Sequence, residues 1–84
     1  MQTEQIIEKV RSQILEITYA NESEILNDTK IFENGYVDSM GFTIIIRFLE
    51  KTFTVSINDR DLIDENFESI NAITKFVIDK SQNT

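Results

Sequence analysis

Ile7, Val10, Ile14 and Ile17 recur at steps of three and four residues, with Glu, Lys, Arg and Gln between them. That spacing predicts a first helix from Thr3 to about Tyr19 with one buried stripe. Thr3 followed by Glu4 suits an N-terminal cap with an acidic first turn. The period then breaks. Residues 20 to 38, ANESEILNDTKIFENGYVD, are rich in Asn, Asp, Glu and Ser, with Ile25, Leu26, Ile31, Phe32, Tyr36 and Val37 interspersed. Polar chain dotted with apolar anchors predicts a long loop pinned onto a core, and loops of this length in small domains are often functional. Gly35, after Asn34, marks a tight turn within it.

The helical period returns at Ser39 and runs to Phe53, with Phe42, Ile45, Ile46, Leu49 and Phe53 on the core face. Its β-branched residues lower helix propensity, but the stretch is too long and too helically patterned for one strand. After the short connection TVSIN, Asn58 or Asp59 caps a brief turn through DRDLID, pinned by Ile63 and Phe67. Ser69 caps a last helix that turns Ile70, Ile73, Phe76 and Val77 inward. Three longer helices, one short third helix and a long first loop predict an all-α fold, a small four-helix bundle. The 84 residues make a single domain, 1–84, whose tail is expected to fray from about residue 80 to 84.

Composition narrows the chemistry. The chain has no cysteine, which excludes disulfides, zinc–thiolate sites and thiol chemistry of its own. A formal charge of −7 repels phosphate backbones, so nucleic acid is not an expected partner. The opening MQTEQIIEKV does not resemble a signal peptide, and no apolar run approaches the roughly 20 residues that span a bilayer. A cytoplasmic monomer is the expectation.

Within NGYVDSMGF, Ser39 sits where loop becomes helix. A serine nucleophile needs an adjacent base, usually histidine, and the chain has none. Lys51 lies about three helical turns away, too far to share a proton. Self-contained catalysis is therefore not expected. Two readings remain. Asp38 or Ser39 can simply cap the helix. Alternatively, Ser39 can bear a phosphodiester beside the positive end of the helix dipole, exposed at the tip of a loop. The two are compatible if Asp38 does the capping.

The stretch IFENGYVDSMGF resembles the modification site of acyl and peptidyl carrier proteins, whose motif is Asp-Ser followed by Leu or Met. The Phe-Glu-Asn-Gly lead-in and Asp-Ser-Met-Gly are most similar to the stand-alone D-alanyl carriers and related discrete aminoacyl carriers. The likeness extends over nearly the whole chain, in the order of its helices and loops. It implies a bundle of acyl-carrier-protein type with 4′-phosphopantetheine attached to Ser39 from coenzyme A, and Asp38 as the motif's aspartate. It also implies a thioester-bound acyl or aminoacyl cargo for secondary metabolism, peptide- or polyketide-type synthesis, or D-alanylation. The implied partners are a phosphopantetheinyl transferase, an adenylating or acyl-loading enzyme, and a downstream transferase or synthase. The alternative is an unmodified helical interaction module in which Asp38 and Ser39 only cap a helix.

The sequence departs from the fatty-acid carriers. Where those have acids along the second helix, this chain has Ile44, Arg47, Phe48 and Lys51, with Glu50 the only acid, and Gly41 replaces the acid that commonly follows Leu or Met. These departures favour a dedicated carrier with few partners. Met40, Ile44 and Phe48 form a second apolar stripe, roughly opposite the core face. Either the first loop or the third helix covers part of it, or Met40, Thr43, Ile44 and Arg47 form a partner-binding face beside the arm.

Overall fold

The structure, a computed structural model, describes residues 2–82. Helix α1 spans Thr3–Thr18, α2 Ser39–Phe53, α3 Asp64–Phe67 and α4 Ile70–Gln82, with a 3-10 turn at Asp59–Asp61. The described residues contain no strand. This is the all-α bundle expected, with α2 at the bounds its periodicity predicts. α1 packs on α4 and α2, and the short α3 packs on α4.

The core is built from one stripe per helix. Ile6, Val10 and Ile14 of α1 meet Ile45 and Leu49 of α2, Phe67 of α3, and Ile70, Ile73, Phe76 and Val77 of α4. Each such aliphatic or aromatic side chain contributes about 1.5–3 kcal/mol on full burial. Ile6, not Ile7, is the first deeply buried residue; Ile7 and Ile17 only flank the core. The cap is Gln2 instead of Thr3, with Gln5 Oε1 accepting from the Gln2 N–H at 3.1 Å. Thr3 is already helical. At the other end α4 continues through Gln82, with Ser81 Oγ donating to the Val77 carbonyl at 2.9 Å. Residues 83 and 84 of the tail expected to fray lie outside the described ones.

The long loop is fastened at several points. Ile25 and Ile31 are fully buried and Val37 nearly so, whereas Leu26, expected as an anchor, is 59% exposed. Arg11 reaches from α1 to donate to the Glu22 carbonyl and to Asn27 Oδ1. The Ile31 N–H donates to the Glu68 carbonyl at 2.9 Å, and the Asn71 N–H to the Asn27 carbonyl at 2.9 Å. Lys30 closes the same seam with an ion pair to Glu68 at 2.9 Å, which raises the lysine pKa above its ordinary value. The last turn before α2 needs Gly35, whose φ of +79° is left-handed. So the loop is polar on its surface yet delivers residue 38 to a fixed place.

Candidate functional site at the start of the second helix

Asp38 is the N-cap of α2, its Oδ1 accepting from the Gly41 N–H at 2.9 Å. Ser39 is the first helical residue and is exposed. Its hydroxyl takes part in no hydrogen bond among the described residues, while its carbonyl accepts from Thr43 Oγ1 at 3.2 Å. Capping therefore falls to Asp38 and leaves the Ser39 hydroxyl free. The first N–H groups of the helix lack intrahelical acceptors, so an anion on Ser39 would sit at the positive end of the dipole.

Gly41 has a packing reason. A Cβ there would stand 2.9 Å from Val37 Cγ1, with Ile17 Cδ1 and Asp38 Oδ1 also close. The glycine lets the first turn of α2 settle onto the loop and α1. Its value as a sign of partner choice is correspondingly weakened.

The second stripe on α2 divides. Met40 is 76% and Ile44 44% exposed, and Thr43 and Arg47 are exposed beside them. Phe48 is half-buried: it borders a groove with Lys9, Ser12, Gln13 and Glu16 of α1 and meets Phe53 edge-on at 6.1 Å. Steps of four residues advance 40° round the helix, which carries Phe48 from the Met40 side toward α1. Neither the first loop nor α3 is needed to cover it.

On the other side of Ser39 a cleft of about 340 Å³ opens between α2 and the segment leading into α3. Phe32, Val37, Asp38, Ser39, Phe42, Leu62, Ile63, Asp64 and Phe67 line it. Edge-to-face contacts of Phe42 with Phe32 (5.5 Å) and Phe67 (5.4 Å) make its floor. Ile63, expected to pin the third element, is 48% exposed, and Leu62 is 42% exposed. Only Phe67 of the expected pins is buried. Leu62 and Ile63 were legible as apolar, but nothing in the local pattern told which face of an irregular segment they would take.

The 3-10 turn on the far side of the cleft is held in place by Asp61. Its carboxylate pairs with Lys80 Nζ at 2.7 Å and accepts from the Asn58 N–H at 2.9 Å, while Asn66 Nδ2 donates to its carbonyl at 2.8 Å. The lysine first, then the backbone N–H, hold the Asp61 carboxyl below the usual carboxylate range. On α2 the Glu50 carboxylate accepts from the Ile57 N–H at 3.1 Å, so the one acid of this helix ties down the following connection. Among the described residues no group of carboxylates has metal-site geometry, and no helix is long and apolar enough to cross a membrane.

A free hydroxyl on the exposed first turn of a firmly capped helix, next to an open apolar cleft, fits a serine that carries a phosphodiester-linked group. Comparison with known protein families gives a match to the model described as the phosphopantetheine attachment site, over residues 8–77. No curated protein matches the chain.

Proposed function

The chain belongs to the phosphopantetheine attachment-site family, and on that premise we propose that Ser39 is its attachment residue and Asp38 the residue that positions it. The family carries 4′-phosphopantetheine covalently, and its members are carrier domains that are generally non-catalytic. When bound, the group supplies the thiol that holds an acyl or aminoacyl cargo as a thioester. The chain's own residues do the rest. Asp38 fixes the first turn of α2, and Ser39 presents its hydroxyl to a transferase from an unobstructed edge of the bundle. The observation that carries this reading is the division of labour between them: the aspartate caps, so the serine hydroxyl has no structural duty.

A phosphopantetheinyl transferase is a partner that a carrier domain implies. Beyond it, an adenylating or acyl-loading enzyme and a downstream transferase or synthase would act on the same Ser39 edge, with Met40, Thr43, Ile44 and Arg47 as the contact face. The Phe-Glu-Asn-Gly lead-in, the Asp-Ser-Met stretch and the scarcity of acid on α2 support an aminoacyl cargo, as in D-alanylation or peptide-type synthesis, over general fatty-acid synthesis.

Incubation with coenzyme A, Mg²⁺ and a broad-specificity phosphopantetheinyl transferase, followed by intact-mass measurement, tests the proposal. A gain of one phosphopantetheinyl group in the natural chain and none in Ser39→Ala is expected. No gain with several transferases would leave an unmodified helical interaction module as the better account.

A further inference from the structure

The chain has no cysteine, tryptophan or histidine, so peroxide finds its readily oxidised side chains in two methionines. Met1 lies outside the described residues. Met40 is 76% exposed on the first turn of α2. Helical positions advance about 100° each, so Met40 points about 140° away from Ile45 and about 180° from Leu49, the buried side of this helix. Its sulfur is open to solvent and its side chain does not serve the core. It also directly follows Ser39, about 1.5 Å further along the axis.

Resting on the reading of Ser39 as the attachment residue, we propose that Met40 is a second, reversible modification site, whose oxidation to the sulfoxide slows enzymatic transfer to Ser39. An enzyme that closes on the Ser39 hydroxyl covers the neighbouring side chain in doing so, and Ile44 and Arg47 continue that surface along the helix. The chemistry balances with one named oxidant. A hydroperoxide gives one oxygen to the Met40 sulfur, which loses two electrons; the O–O bond breaks and water leaves. A dithiol, acting through methionine sulfoxide reductases, returns the two electrons and the oxygen departs as water. The product is a polar side chain where a flexible apolar one stood. In a contact that excludes water, its new oxygen gives up hydration and needs a donor. Thr43, next on this face, already donates its hydroxyl hydrogen to the Ser39 carbonyl at 3.2 Å. The fold itself is spared, because the change is confined to an exposed side chain. Leucine at this place would offer similar apolar surface and no sulfur, so the sensitivity belongs to the methionine.

The test treats apo protein with hydrogen peroxide, removes the peroxide, and locates the added oxygen by tandem mass spectrometry. One oxygen on Met40 is expected, with the circular dichroism and the denaturation midpoint unchanged. Modification by coenzyme A and a broad-specificity phosphopantetheinyl transferase should then proceed with kcat/KM lowered about tenfold, mostly through KM. The two methionine sulfoxide reductases, one for each epimer, should restore it. Met40→Leu retains Met1, and its rate should be the same before and after peroxide. Equal kcat/KM for oxidised and untreated protein would overturn the switch and leave the carrier function standing. So would a loss of rate that persists in Met40→Leu, a loss of helix content on oxidation, or a Met40 that resists peroxide. Absence of any phosphopantetheinyl mass gain in untreated protein would remove the switch together with the function it rests on.

Discussion

Asp38 and Ser39 are adjacent, yet their side chains answer to different demands. Loss of the Asp38 carboxylate leaves the Gly41 N–H without its acceptor, so Asp38→Ala should lower stability by about 1 kcal/mol. Ser39→Ala removes an exposed hydroxyl with no partner and should change stability by less than about 0.5 kcal/mol. Chemical denaturation of the two variants separates the roles without reference to any enzyme. Thr54 is a second informative residue, because it closes α2 at φ 54°, a left-handed conformation that a β-branched residue adopts at a cost of about 1–2 kcal/mol. Thr54→Gly removes that strain, offset in part by the looser unfolded chain, and should raise stability by roughly 0.5–1 kcal/mol. Gly41→Glu, by contrast, would restore an acid common in fatty-acid carriers and should destabilise the protein, because its Cβ intrudes on Val37. The measurement is again the denaturation midpoint.

Among the elements, α2 carries both a core face and an open one. Ile45 and Leu49 are buried, while Met40, Thr43, Ile44 and Arg47 are exposed. Ile44→Glu should therefore leave the fold intact, as read by circular dichroism, but slow loading by the cognate acyl- or aminoacyl-activating enzyme. Unchanged loading kinetics would remove the partner face on α2. The bounds of this helix were legible because fifteen residues keep one period and end against a connection without it. Ser69 was equally plain as a cap, and its Oγ accepts from the Ala72 N–H at 3.1 Å. Irregular segments gave less. Ile25 and Leu26 are adjacent and similar, yet the first is buried and the second exposed, since only the path of the loop decides between them. The cleft beside Ser39 was beyond reach for the same reason: it is made where Phe32, Phe42, Leu62 and Phe67 converge from four separate parts of the chain.

At the scale of the whole molecule, the pairing of Asp61 with Lys80 ties the 3-10 turn to the end of α4 across nineteen residues. The depressed carboxyl value of Asp61 means that its contribution is present above the unfolded value, near pH 4, and is lost as pH falls through the folded value. Asp61→Asn should accordingly lower the melting temperature at pH 7, and the gap from the natural chain should close in more acidic buffer. The same tie anchors the turn that leads into Leu62 and Ile63 at the edge of the cleft. A bundle whose core is complete without its prosthetic group gives the arm a stable platform, so apo and holo forms should unfold at nearly the same denaturant concentration.

On the proposed function, Ser39 carries the arm. Fragmentation of the modified protein by tandem mass spectrometry tests it most directly, since the chain has other exposed serines at positions 12, 23, 56 and 81. The phosphopantetheinyl group is expected on the peptide containing Ser39 and on no other. Its presence on a different residue, or its persistence in Ser39→Ala, would contradict it.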